Sequence, residues 1–207
     1  DTVVGETVIQ SSIAFMDSHP AAGAHGVEMI DDRGRRAPES RRGLPSPSVA
    51  FYKMTGLCRR FPQHDRFARY YMGSLPWDVP GRIEVVSGAY CFLRRSALER
   101  VGLLDEDFFM YGEDVDLSYR LLKGGCENWY LPVRILHYKG ESTQKSSFRY
   151  VHVFYEAMLI FFRKHYGGMN VLWRLPIKAA IYAKAIGSLV GMTVGTVRKK
   201  MGFRSPV

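Results

Sequence analysis

Apolar positions recur at Val8, Ile9, Ser12, Ile13, Phe15 and Met16, the spacing of one helical face, and predict a helix over residues 5–18 that Pro20 ends. Gly23–Ile30 reads as a short buried strand, and Asp31-Asp32-Arg33-Gly34 as the turn after it. Residues 35–82 are rich in arginine, proline and aromatics and carry little periodicity. They predict a long excursion with short helices, the kind of insertion that holds specificity. The pattern then tightens. Ile83–Leu93 predicts a strand interrupted at Ser87-Gly88-Ala89, Arg95–Gly102 a short helix, and Asp105–Gly112 an acidic and aromatic loop. Asp114–Lys123 places Leu117, Ser118, Leu121 and Leu122 on one helical face and is closed by Gly124-Gly125. Cys126–Leu131 and Val133–Tyr138 read as strands on either side of Pro132, with a loop over Lys139–Ser147. A long helix follows over Phe148–Tyr166. The last apolar segment, Met169–Val197, is broken by Arg174, Pro176, Lys178 and Lys184. Its longest uncharged run, Ala185–Val197, is 13 residues, short of the ~20 that a bilayer span needs.

Composition changes this picture in three places. At 207 residues with 46% hydrophobic and 24% charged residues, the chain has the size of one domain, or barely two, and is neither disordered nor fibrous. Its three cysteines, Cys58, Cys91 and Cys126, are too few and too far apart for a disulfide framework or a CxxC zinc site, which points to a reducing compartment. The net charge of +9 is unevenly placed: residues 157–207 hold nine Lys and Arg and no acid, and the first 156 residues sum to zero. A neutral body with a basic tail suggests an anionic partner for the tail, nucleic acid or a membrane surface. The chain also enters its first helix almost at once, without an initiator methionine or a signal peptide, which reads as a fragment beginning inside a domain.

The densest chemical signal is Tyr111-Gly112-Glu113-Asp114-Val115-Asp116 at the mouth of a helix, with His137 at a strand end some twenty residues on. Carboxylates there are stabilised by the helix dipole, so capping and chemistry both fit these residues. An EF-hand reading of Asp105 through Glu113 fails, because Phe109 falls where an oxygen ligand is required. Ser87-Gly88-Ala89 lacks the flanks of a nucleophile elbow or a P-loop. Asp114-Val115-Asp116 is a literal DxD, weak evidence by itself for a metal.

The run Val86-Ser87-Gly88-Ala89-Tyr90-Cys91-Phe92-Leu93-Arg94-Arg95 is followed by Val101-Gly102-Leu103-Leu104-Asp105-Glu106-Asp107-Phe108-Phe109-Met110-Tyr111-Gly112-Glu113-Asp114-Val115-Asp116-Leu117, and then by His137-Tyr138-Lys139-Gly140-Glu141-Ser142-Thr143. In order and spacing these resemble the acceptor-side half of bacterial family-2 inverting glycosyltransferases of the rhamnosyltransferase type, over residues 1–168. The resemblance implies an α/β fold, the second half of a GT-A Rossmann-like α/β/α sandwich, followed by a helical basic C-terminal tail. The catalytic part would occupy residues 1–147, with 35–82 as its acceptor-side excursion, and an amphipathic membrane-associating region residues 148–207. The nucleotide-binding half would lie upstream, with Asp1 matching the last Asp of the family's DxD motif.

By the same resemblance, Asp1 and His137 would ligate a divalent cation, Mg²⁺ or Mn²⁺. Asp114 would be the general base, with Glu113 beside it orienting the site. Ser87, Gly88 and Ala89 would let the backbone approach the donor sugar. Lys139 and Lys145 would sit on a loop that serves either as a lid over the diphosphate or as ordinary solvated surface. The implied partners are a nucleotide-sugar donor, rhamnosyl first among them, and a polyprenyl-diphosphate-linked saccharide acceptor. Transfer would invert the anomeric carbon. The basic, aromatic segment 169–207 fits an anionic membrane surface, placing the protein on the cytoplasmic face of the cell membrane; the other reading is an ordinary helix packed on the body. The spacing of Gly187, Gly191 and Gly195 permits close helix contact and self-association. The alternative is a non-catalytic binding module whose basic tail holds an anionic membrane or nucleic acid. Against nucleic acid, the body is charge-neutral and carries no nucleic-acid-binding motif.

Overall fold

The computed structural model describes residues 2–138 and 148–200. These form two compact units: residues 2–105 with 113–138, and residues 106–112 with 148–200.

The first unit is built on a five-stranded mixed sheet. Strand β1 (Thr2–Val3) leads into helix α1 (Glu6–Ser18), and β2 (Ala22–Ile30) follows. The excursion after β2 contains two short helices, α2 (Pro47–Met54) and α3 (Leu57–Arg60). Then come β3 (Gly81–Ile83), β4 (Phe92–Leu93), α4 (Arg95–Val101), α5 (Glu113–Lys123) and β5 (Glu127–His137). The path through the sheet is β1-β5-β2-β4, with β3 paired to β5. β2 and β5 are parallel; every other pairing is antiparallel.

Residues 22–29 of β2 are all buried, as befits a strand covered on both faces. On one face α1 contributes Val8, Phe15 and Met16 against Val27, Met29, Leu131 and Ile135. On the other, Ala97 of α4 and Leu117 and Leu121 of α5 pack on Ala24, Ile83, Val86 and Tyr130. The result is an α/β/α sandwich. Gly23 is required on the second face: a Cβ there would lie 2.7 Å from that of Cys126. Helix α5 ends in a Schellman turn, in which Cys126 N–H reaches Leu121 O at 3.0 Å and Gly125 N–H reaches Leu122 O at 3.1 Å, with Gly125 at φ +77°.

Two elements differ from the periodicity. The single interrupted strand expected over Ile83–Leu93 is two strands on different neighbours, β3 on β5 and β4 on β2, because the chain crosses between them through the fully buried Val85 and Val86. The two strands expected around Pro132 are one. β5 runs through the proline because the ladder shifts register there, Leu131 facing Val27 and Arg134 facing Glu28, so Pro132 sits at a bulge where no ladder N–H is required.

The second unit pairs α6 (Phe148–Tyr166) with α7 (Val171–Lys200). Val151, Ala157, Phe161, Phe162 and Ile181 are buried, and Tyr155 and Ser188 share a 3.1 Å hydrogen bond between the helices. Tyr111 sets its ring edge against Tyr150 and Phe154. Leu172, Leu175, Tyr182, Ile186 and Val190 of α7 are exposed. A Cβ added at Gly187 or Gly191 would meet nothing within 4 Å outside the helix's own backbone. The stretch Leu175–Thr193 is 19 residues and, by length and composition alone, long and apolar enough to cross a membrane. This corrects the expectation drawn from the uncharged run, which stopped at Lys184 although a helix continues through isolated lysines whose stems are apolar.

His25 is fully buried between Phe15, Tyr90 and Phe92, stacked on Phe92 at 5.2 Å, and its Nε2 has no hydrogen-bond partner among the described residues. Burial pushes its pKa down to about 4. The unfolded chain binds this proton near pH 6.5 and the folded one resists it, so stability falls as pH drops from 6.5 toward 4. The expected loss between pH 7.5 and 4.5 is about 2 to 3 kcal/mol by linkage. Urea unfolding at the two pH values reads it, and His25→Leu should remove that part of the slope.

Candidate active site

The crossing segment that separates β3 from β4 is held by side chains on the elements beneath it. Val86 N–H donates to Ser118 Oγ at 3.0 Å, and Asn128 Nδ2 donates to Glu84 O at 2.9 Å and Ser118 O at 3.0 Å. Ser118 and Asn128 are buried, so these bonds satisfy groups that would otherwise be stranded away from water. Fixing residues 84–86 fixes the turn after them. Gly88 N–H then donates to Asp114 Oδ2 at 3.2 Å, across 26 residues of sequence.

Asp114 stands in the first turn of α5, and its Oδ1 accepts from Val115 N–H at 2.8 Å. Tyr111 and Gly112, both left-handed at φ 66° and 87°, reverse the chain into this helix. Arg42 completes the cluster. Its backbone bridges Val85 in the crossing segment, and its Nη2 forms an ion pair with Asp114 Oδ2. The two side chains are 17% and 15% exposed. Glu113, next along, is half-buried, and its Oε2 has no hydrogen-bond partner among the described residues. Burial, helped by the negative charge of Asp114, raises its pKa above the usual carboxylate range. Burial also pushes the Cys91 thiol up to about 12, with Asp114 adding to the effect. Cys91 is thus an inert thiol.

Asp116, the second carboxylate of the literal DxD, does not join this group. It is fully buried and paired to Arg120 at 2.7 Å. Arg120 in turn donates to the carbonyls of Val101, Gly102 and Leu103, tying α5 to the end of α4.

Of the residues singled out in the sequence, Glu113, Asp114 and Gly88 meet in one cluster, with Ser87 and Ala89 flanking Gly88. Half-buried His137 lies at the end of β5, where Thr2 is its cross-strand partner. Thr2 Oγ1 also reaches Ala89 O at 3.5 Å, so the 87–89 turn and the His137 strand end share a neighbour. Asp1, Lys139 and Lys145 lie outside the described residues. Among the described residues no group of three or more His, Cys, Asp or Glu could hold a metal ion. His137 alone does not make a cation site. Arg42 was missed by sequence reasoning: it lies in the aperiodic excursion, and neither spacing nor a local motif marks it.

The chain belongs to the family described as glycosyl transferase family group 2, whose model matches residues 1–204. Among curated proteins it is similar to N-acetylglucosaminyl-diphospho-decaprenol L-rhamnosyltransferase from two strains of Mycobacterium tuberculosis, CDC 1551 / Oshkosh and ATCC 25618 / H37Rv. In each case it is 33% identical over 162 residues, covering 77% of this chain and 50% of the relative. The chain thus spans about half the length of the curated relatives it matches. No solved structure matches it.

Replacing Arg42 by methionine leaves Asp114 shielded without its counter-charge and is expected to destabilise the first unit by about 1–3 kcal/mol, the cost of an unsatisfied buried charged group. In a double-mutant cycle read by urea unfolding, Asp114→Asn should cancel much of that loss.

Proposed function

We propose that the protein transfers a sugar from a nucleotide-sugar to a polyprenyl-diphosphate-linked saccharide, with inversion. The observation that carries this reading is the Gly88 amide on the Asp114 carboxylate at the mouth of α5, in a chain of the glycosyltransferase family. The relatives' name specifies a decaprenyl-diphosphate-linked acceptor and an L-rhamnosyl group, so dTDP-rhamnose is the first donor to test.

The chemistry needs a proton acceptor on the attacking hydroxyl, close approach to the sugar, and exclusion of water. A turn containing Gly88 offers exposed backbone with no side chain to hold the sugar away. A Cβ at Gly88 would stand 3.6 Å from Glu113 Oε1 and 3.7 Å from Asp114 Cβ, within the space a reacting hydroxyl would use. Asp114 is the assigned general base, with Glu113 orienting the acceptor, and attack by one hydroxyl with one base inverts the sugar. A second assignment, Glu113 as the base, is favoured by its unpartnered Oε2 and its raised pKa. Mg²⁺ or Mn²⁺, with Asp1 and His137 as ligands, would supply charge neutralisation on the leaving diphosphate. Lys139 and Lys145 would add counter-charge there.

The test is turnover by the complete gene product of dTDP-, UDP- and GDP-sugars with Mg²⁺, Mn²⁺ or EDTA. Release of nucleotide diphosphate from one donor, dependent on metal and lost by 10²-fold or more in Asp114→Asn and His137→Ala, is the expected result. If Glu113 is the base, Glu113→Gln instead removes the acidic limb of the pH–rate profile. No turnover of any donor with acceptor lipid present would favour the binding-module reading.

The basic tail is assigned to an anionic membrane surface on the cytoplasmic side. The exposed apolar residues of α7 and the acid-free charge of residues 157–207 support it. Flotation with phosphatidylglycerol vesicles should carry the intact chain upward, and deletion of residues 169–207 should abolish this. Equal partitioning of both forms would sink the assignment.

A further inference from the structure

Away from the Asp114 cluster, a cavity of about 510 Å³ opens beside β5 where its ladder is interrupted at Pro132. Its walls include Thr7 on the first turn of α1, Glu28, Arg36, Trp77, Asp78 and Arg134. Glu28 is 2% exposed and pairs with the Nε atoms of two arginines: Arg134 is hydrogen-bonded to Oε2 at 2.9 Å, and Arg36 makes an ion pair with Oε1, which accepts no hydrogen bond among the described residues. Each arginine therefore spends its inner nitrogen on Glu28. Among the described residues no hydrogen bond from their Nη groups is seen, and the side chains remain 42% and 61% exposed. A third guanidinium lies behind them. Arg41 is 3% exposed, stacks on Trp77 at 3.6 Å, bonds Leu75 O through Nη1 and has a buried Nε without a hydrogen-bond partner among the described residues. Arg36 stands over the same indole at 5.2 Å.

Three guanidiniums around one buried carboxylate leave an excess of positive charge that the exposed Asp78 offsets by only one. Burial first, and the neighbouring Arg36 after it, push the Arg41 pKa down, and Tyr130 and Glu28 oppose this only in part. Two guanidiniums held by their inner nitrogens on a shared carboxylate are preorganised donors for a tetrahedral oxyanion, which accepts from the outer nitrogens in a fork geometry. We propose that this cavity is a binding site for a phosphoryl anion, a phosphate or diphosphate group, held by Arg36 and Arg134. The site shares no residue with the Asp114 cluster and does not depend on the sugar-transfer reading.

Calorimetric titration with inorganic pyrophosphate tests it. Binding at one site, weakened about tenfold or more in Arg36→Gln and in Arg134→Gln but not in Arg95→Gln, is the expected result, since Arg95 is 93% exposed and elsewhere. Either substitution also unbalances Glu28, so a second measurement uses the unchanged protein. Pyrophosphate should slow phenylglyoxal modification of Arg36 and Arg134 and leave Arg95 unaffected. A short prenyl-diphosphate saccharide then separates the sources. Tighter binding than pyrophosphate at the same arginines assigns the site to a lipid-linked diphosphate, and equal or weaker binding assigns it to a soluble phosphate. Pyrophosphate binding that survives both substitutions and protects neither arginine belongs to the basic tail and overturns the proposal, as does no binding at all.

Discussion

Parallel strands cannot be joined by a hairpin, and β2 and β5 are parallel along the whole of β2. Everything between them in sequence, residues 31–126, must leave the end of one and return to the start of the other. Because both faces of the pair are covered, its apolar burial on α1 and on α4 and α5 is the largest source of stability in the first unit. The same constraint sends the chain from the β5 side of the sheet to the β2 side through Val85 and Val86. That crossing delivers the Gly88 turn to the mouth of α5.

The crossing carries backbone groups into a place without water, and the polar residues that answer them are the ones that shape the site. Ser118 and Asn128 each bond main-chain atoms of residues 84–86. Arg120, paired to Asp116, does the same for the end of α4. Each leaves little freedom in what it touches, since an unmade bond there costs about 1–3 kcal/mol. Arg42 belongs to this set through its bridge to Val85, which is why a residue from the excursion reaches a carboxylate on a helix. The position of the carboxylate pair is thus set by hydrogen bonds to backbone well away from it.

Much of the fold was legible because its helices are amphipathic and well bounded. Helices α1, α5 and α6 lie within a residue of where the apolar spacing puts them. Strands were harder. Val85 and Val86 are as apolar as any strand residues, and nothing in their composition says that they cross between strands instead of pairing. Pro132 reads as a break, and only the register shift against β2 makes it a tolerated bulge. Of the site, Glu113, Asp114 and Gly88 were legible through motif resemblance. Arg42 and the Arg36–Glu28–Arg134 triad were not, because pairing across tens of residues leaves no periodic trace. Asp114 was singled out by resemblance alone, and the literal DxD spacing said nothing of what Asp116 does: burial and the pair with Arg120 give it a structural place.

Burial separates Glu113 and Asp114 in the same way. Asp114 is held by a guanidinium, a turn amide and its own helix, three donors that fix its orientation. Glu113, one residue earlier, receives burial without donors on Oε2, and its proton is held more tightly. Neighbouring carboxyl groups in unlike surroundings are the usual route by which one site supplies both a fixed charge and a proton acceptor. The Arg42 ion pair fixes Asp114 from a residue of the excursion 72 positions away in sequence, while among the described residues nothing donates to Glu113 Oε2. One long-range guanidinium therefore sets two adjacent carboxyl groups in unlike surroundings.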